Sequence, residues 1–389
     1  MSQQHENNTS CSYRSLPWAS ELIWFPVAVT TACLHYVTSP LGFELVMSGL
    51  VVGGFFGLIL IPILFGVGIV YLLEYTQLLP SNFVWMVAQW FIIPFSIYYV
   101  VFILIFNQQH LSVKDANCCP NNRNILERAS AKFLYSHQDY LQMTCVPWSS
   151  SESDDNNNDN DVAKLPPHKQ YVIAVHPHGI HCTPLGLFST VGSSFDVQFP
   201  GLVGCKLTGL AATIIFKIPL VREMFLNMGY VDASRTVASK VLEEGRSLFV
   251  CTGGEEESMY TTPGKDTVVL KRRKGFVRLA LSYGADLVPV FGVGNNDLYT
   301  TYSFLLGPRL WIQKNFGIAL PLFHGRWGTP IPHKRQVRVL IGKPISTPRP
   351  KVIGAKPDDD LVDEYHTKYI NALIELHSKN VKDRILEIR

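Results

Sequence analysis

Two stretches of this chain carry no Asp, Glu, Lys or Arg, Leu45 to Leu73 and Tyr75 to Val113. No other feature restricts its folding as tightly. A helix needs about 20 consecutive apolar residues to cross a bilayer, and each stretch is long enough. Pro62 and Pro94 lie inside them, which lipid tolerates where neighbouring groups re-satisfy the freed carbonyl. The connection "EYTQLLPSN" is short, so residues 45–110 read as a transmembrane helical hairpin. Trp85, Trp90, Tyr98 and Tyr99 supply amphipathic rings suited to a membrane interface. The competing reading is a pair of buried core helices.

The N-terminal segment, 1–44, contains a shorter apolar run from Leu22 to Val37, with Pro26 and His35 inside it. It reads as interfacial or re-entrant. Met1 to Ser20 lacks a basic start followed by an apolar core, so no cleaved signal peptide is expected. Arg14 stands alone before the hairpin, whereas Lys114, Arg123, Arg128 and Lys132 follow it. The positive-inside tendency therefore places the C-terminal part in the cytosol. A net charge of +3 offers no charge argument for nucleic acid. The eight cysteines show no paired metal-type spacing, and in the cytosol they would remain reduced.

Residues 111–169 read as a linker. Within it the acidic, Asn-rich insertion 149–164 cannot bury apolar surface and is expected to be disordered. Strand and helix patterns then alternate through 170–389. "YVIAV", "SLFVC", "DLVPVFGV" and "VRVLIG" read as strands. "SRTVASKVLEEG" reads as a helix stopped by Gly245, and "GFVRLALSYG" as a short amphipathic one. A long C-terminal helix begins with acidic residues, where the helix dipole favours them. The pattern indicates an α/β fold with sites at strand ends.

The strand "YVIAV" runs into His176, Pro177, His178 and Gly179, and three readings of this string compete. One imidazole acts as general base, which its ordinary pKa of about 6.5 suits. Alternatively, His176, His178 and His181 ligate a metal, although no His-x-x-x-His helix or Cys pair accompanies them. Otherwise they are turn and core histidines. "TGGEEES", Thr252 to Ser258, places two glycines and three glutamates after a second strand. One glutamate is suited to orienting a base imidazole, and the bland reading is a solvated acidic turn. Lys271, Arg272, Arg273 and Lys274 precede a helix and suit a ligand's phosphates or anionic lipid headgroups. Asn295, Asn296 and Asp297 either reach a site from a neighbouring strand end or cap a turn. Cys182 near His178 raises a covalent route, against its reading as a small buried hydrophobe. The aromatic-rich segment Thr300 to Phe323 is either an embedded or acyl-contacting surface or an ordinary core segment.

Taken in order, the apolar hairpin, "HPHG", "GGEEES", "LKRRKGFVRLALSYGADLVPVFGVGNNDLY", "LPLFHGRWG" and "LIGKPI" closely resemble the type-2 diacylglycerol acyltransferase family. That family also holds monoacylglycerol acyltransferases and wax synthases. The resemblance runs from the hairpin to Thr347. It implies a glycerolipid-acyltransferase-like mixed sheet with flanking helices behind the hairpin. It also implies transfer of a fatty acyl group from acyl-CoA to diacylglycerol, making triacylglycerol, at the endoplasmic reticulum membrane and lipid droplets. No cofactor is implied beyond acyl-CoA as co-substrate, and the partners are membrane lipids.

By the same resemblance His178 is the base, His176 supports it, and Glu257 is the carboxylate partner of the imidazole. Pro177, Gly179, Gly253, Gly254, Arg273, Lys274, Gly275, Phe276 and Asn296 contribute to substrate binding. Thr183 stands where the wider superfamily's motif has Asp, which agrees with the type-2 family. Other acceptors of that family, monoacylglycerol and fatty alcohols, remain open. So does a non-enzymatic lipid-droplet or membrane scaffold, which would have no use for "HPHG" and "GGEEES".

Overall fold

The computed structural model describes Ile97, Leu111, and residues 134–149, 163–204, 206–217, 221–316 and 319–389. The expected hairpin, the Leu22 to Val37 run and most of the acidic insertion lie outside the described residues. Among the described residues no helix is long and apolar enough to cross a membrane.

In chain order the elements are β1 (Thr144–Pro147), β2 (Tyr171–His176), α1 (Leu185–Phe188), α2 (Ser194–Gln198), β3 (Leu207–Ala211), α3 (Val221–Asn227) and β4 (Tyr230–Asp232). Next come α4 (Arg235–Glu243), β5 (Ser247–Cys251), α5 (Gly254–Ser258), β6 (Asp266–Val268), α6 (Gly275–Tyr283) and β7 (Asp286–Val293). The chain continues through β8 (Thr300–Tyr302), α7 (Leu306–Phe316), β9 (Leu322–His324), β10 (Arg338–Ile341), α8 (Asp359–Asn380) and β11 (Leu386–Ile388).

One mixed sheet orders its strands β1-β10-β7-β2-β5-β3-β4. The five strands from β7 to β4 are mutually parallel. β10 pairs antiparallel with β7, and β1 lies parallel to β10. β1 falls within the stretch read as a linker, so the folded unit reaches back before residue 170. Its short Cys-Val core is too brief to signal a strand without its partner.

Successive residues of β2 enter opposite layers, as strand geometry requires. Val172 and Ala174 pack with α4, α6 and α8, through residues such as Val241, Val277 and Leu373. Tyr171, Ile173 and Val175 pack with Leu187, Phe188 and Phe195 on the other face. Burial on both faces explains why this strand is apolar without alternation. Each large apolar side chain so buried contributes about 1.5–3 kcal/mol.

Two helix ends follow their local chemistry. Asp358 caps α8, accepting the Asp360 N–H through its side chain, as an N-cap carboxylate should. Gly284 ends α6 in the left-handed region at φ +68°. The α6 helix buries more than the single stripe of an amphipathic helix, because Val277 and Leu281 are enclosed along with Phe276, Leu279 and Ala280. Tyr369 of α8 donates its hydroxyl to the Ala174 carbonyl at 3.0 Å. The buried pair His377 Nε2 and Asp266, at 2.9 Å, joins α8 to β6. The C-terminal helix thus braces the strand that ends at His176.

Candidate active site

β2 lies between β5 and β7, and all three run the same way. Their C-terminal ends therefore open at one edge, where a parallel sheet places its ligands. His176 ends β2, Thr252 follows β5, and Asn295 follows β7.

His176 is fully buried. Its Nε2 lies 3.0 Å from Thr252 Oγ1, and its Nδ1 lies 4.0 Å from Glu257 Oε1. Burial pulls its pKa down to about 3, so the ring is neutral. His178, two residues on, is half-buried. Its Nδ1 lies 3.0 Å from the Gly179 carbonyl oxygen. A carbonyl only accepts, so Nδ1 carries the proton and Nε2 keeps its lone pair. Burial lowers the pKa of this imidazole, and the bond to the Gly179 carbonyl partly opposes the shift. A neutral ring with an unprotonated Nε2 is a general base in its working form.

Glu257 occupies a different place from the one expected. Its carboxylate does not hold the His178 ring. Oε2 accepts the backbone N–H of His178 at 2.6 Å, and Oε1 accepts that of Val269 at 2.7 Å. The imidazole it approaches is that of His176. Burial raises the Glu257 pKa to about 7, against those two hydrogen bonds. Gly253 makes room for this carboxylate, since a Cβ there would sit 2.2 Å from Glu257 Oε2.

Asn295 supplies the clamp that sequence reasoning underrated. It is buried, and its Nδ2 donates towards the carbonyls of Pro177, His178 and His181 at 3.1, 3.2 and 3.2 Å. Gly179 lies beneath it at φ +62°, where a Cβ would come within 2.5 Å of that nitrogen. Asn296, expected at the substrate, turns instead to the Lys265 carbonyl. The sequence signal was the Gly-Asn-Asn-Asp string at a strand end. Adjacent asparagines on a helical turn face different ways, and only the packing selects one.

The basic cluster divides. Arg273 reaches Glu256 at 3.0 Å and the Gly253 carbonyl at 3.3 Å, and Arg272 also pairs with Glu256. Arg273 is therefore tied to the floor of the site. Lys274 pairs with Asp363 of α8 at 2.5 Å. Phe276 is a core residue, with its ring 4.8 Å from that of Tyr369. Its place on the inner face of α6 withholds it from substrate. Gly275 begins that helix with open space around it, and Gly254 begins α5 at φ +61°.

The three histidines do not converge as metal ligands would. The His181 ring rests 5.5 Å from Tyr299 and 6.3 Å from Phe323, while the other two hold the partners named above. Cys182 points its thiol at the Pro177 carbonyl, at 4.0 Å, rather than at an imidazole nitrogen. Cys251 is pushed well above the usual thiol range by burial and by its hydrogen bond with Cys182. The Cys251 thiol is thereby kept protonated and unprepared as a nucleophile.

Residues 158–386, more than half of the chain, match the family model described as diacylglycerol acyltransferase. Diacylglycerol O-acyltransferase 2A of Umbelopsis ramanniana is 35% identical over 249 residues, covering 58% of this chain and 67% of that protein. Human 2-acylglycerol O-acyltransferase 3 is 35% identical, covering 56% and 67%. Human diacylglycerol O-acyltransferase 2 is 35% identical, covering 54% and 57%. Among solved structures, the 1-acyl-sn-glycerophosphate acyltransferase PlsC of Thermotoga maritima aligns with a TM-score of 0.35 at 13% identity, covering 73% of this chain and 94% of that one. The chain belongs to the diacylglycerol acyltransferase family and is an acyltransferase.

Proposed function

We infer that this chain moves a fatty acyl group from acyl-CoA to the free hydroxyl of diacylglycerol, making triacylglycerol, with His178 as general base. The observation carrying the base assignment is the His178 Nδ1 contact with the Gly179 carbonyl, which leaves Nε2 to take a proton. As the acceptor oxygen attacks the thioester carbonyl, its proton passes to Nε2. The tetrahedral oxyanion then collapses, the C–S bond breaks, and the imidazolium returns the proton to the leaving CoA sulfur. His176 and Glu257 keep their distance from the reacting atoms in this scheme. They position the His178 backbone, through Glu257 Oε2, and acyl-CoA is the only co-substrate. Arg273, anchored beside Gly253, is suited to the phosphates of CoA.

The chain acts, in this reading, as a membrane-bound enzyme. The 45–110 hairpin holds a glycerolipid-acyltransferase-like domain on the cytosolic face of the endoplasmic reticulum, with access to lipid droplets. The charge-free stretches and the basic residues after them support that placement. Monoacylglycerol is the second acceptor to consider, because human 2-acylglycerol O-acyltransferase 3 is as similar as the diacylglycerol enzymes.

The test uses membranes of a host without neutral-lipid synthesis, given labelled acyl-CoA with diacylglycerol, monoacylglycerol or a fatty alcohol. Triacylglycerol from the native chain, and none from an equally expressed His178→Ala, supports the reading. A different ester would move the acceptor and keep the base. No ester from a well-inserted native chain would favour a scaffold.

A further inference from the structure

One surface of the folded unit is apolar and exposed without an evident structural need. Phe304, Trp311 and Trp327 are 70%, 60% and 71% exposed, and Tyr302, Leu305 and Leu322 are exposed beside them in sequence or across the β8–β9 pair. Exposed apolar groups of this kind mark a contact surface. Those of β8, α7 and β9 belong to one braced piece, and Trp327 lies three residues beyond the end of β9. The buried Arg309 of α7 donates to the carbonyls of Tyr302 and Leu320, at 2.8 and 3.0 Å. This ties α7 to the β8–β9 hairpin, in which Tyr302 pairs directly with Leu322.

The backbone holds two of these side chains outward at a cost. Leu305 and Trp327 have φ of +51° and +54°, the left-handed region that bulky residues avoid. Such strain survives only where the surroundings impose it, and it concentrates at functional positions. Charge identifies what fits. From Leu298 to Pro357 there is no Asp or Glu, while Lys314, Lys334 and Arg335 are exposed and Arg326 stacks on Trp327 at 4.3 Å. Aromatic rings in a segment that carries cations and no acidic residue of its own suit an anionic lipid surface.

We propose that the β8–α7–β9 unit is a docking face that seats the catalytic domain on an anionic membrane leaflet, independently of the hairpin. The proposal rests on the membrane-bound reading above. The face is joined directly to the site. Thr301 donates to the Thr261 carbonyl at 2.8 Å, just beyond α5, and Phe323, on the opposite side of β9 from Leu322, packs against Tyr299 and His181. Docking therefore holds the His178 loop at the leaflet from which the lipid acceptor comes.

The test places a photoactivatable benzoylphenylalanine at position 304 or 327 of the full chain. Controls carry it at Val197 or Ile385, which are at least as exposed elsewhere. Each protein is reconstituted in phosphatidylcholine vesicles with and without phosphatidylserine, irradiated, and its lipid adducts counted. The expected result is adducts at 304 and 327 at least about fivefold above the controls, rising with phosphatidylserine and reduced by Lys314→Glu with Arg326→Glu. Equal yields at all four positions would overturn the proposal. So would crosslinks from 304 and 327 to another part of the chain or to a second copy. Adducts indifferent to phosphatidylserine would overturn its electrostatic half. The readout needs no turnover, so a failure of the acyl-transfer reading would leave it interpretable.

Discussion

The His176–Cys182 loop concentrates three imidazoles and the β8–α7–β9 unit concentrates aromatic and apolar rings, and the fold treats them oppositely. The first is enclosed. Its carbonyls are gathered by Asn295, its N–H at His178 is taken by Glu257, and its glycine leaves no room for a Cβ. The second is braced from behind by Arg309 and presents its rings outward. The contrast teaches that a reactive imidazole needs every neighbouring group fixed, whereas a surface for lipid needs only a rigid back. Mutations should therefore cost chemistry in the first region and association in the second.

The largest effect is expected from His178→Ala, a loss of about 10²–10⁴-fold in acyl transfer, the range a general base supplies. Thermal stability and membrane partitioning should remain as in the native chain. A loss below about tenfold would break the base assignment. Asn295→Ala comes next. It releases three carbonyls at once and should cost about 1–3 kcal/mol of stability, as buried groups left unpaired do. Its kcat should fall more than its KM rises, because the reacting base shifts. Denaturant unfolding and initial rates would check the two halves.

Glu257→Gln sharpens the comparison through pH. The folded pKa of Glu257 is raised to about 7 from an ordinary value of 4.5. The native state thus holds a proton that the unfolded chain releases, and that contribution is lost as pH rises through about 7. His176 is depressed from 6.5 to about 3, so its contribution is lost as pH falls below 6.5. The stability of the Gln variant relative to native should therefore rise between pH 4.5 and 7. A parallel pair of stability curves would sink this account. The smallest effect is expected outside the site. Leu305→Gly should change stability by no more than about 1 kcal/mol, and towards greater stability, because glycine accepts its positive φ. A loss well beyond that would show that Leu305 packs inward.

Much of the frame was legible. β2, β5, β7, α4, α6 and α8 each carry a local signal, a short β-branched run or an apolar stripe with a cap, and each forms near its expected bounds. The HPHG and GGEEES strings mark two strand ends that the sheet brings together. The short strands were not legible. β4, β6 and β11 are three residues each, and they are strands only because a partner lies alongside. Phe276 was misread for a related reason, since a conspicuous motif residue and a core residue look alike until the helix is docked.

By itself, the sequence determined that two charge-free stretches precede an alternating α/β unit, and that imidazoles and carboxylates follow its buried strands. Those are local properties, set by hydrophobic period and by where proline and glycine interrupt it. Only the tertiary structure decided that Glu257 takes the backbone of His178 rather than its ring. It alone decided that Asn295 enters the site while Asn296 turns away, and that the rings at 304, 311 and 327 stay outside. Each of these depends on which way a side chain points after strands far apart in sequence have paired. A pattern along one chain does not encode that direction.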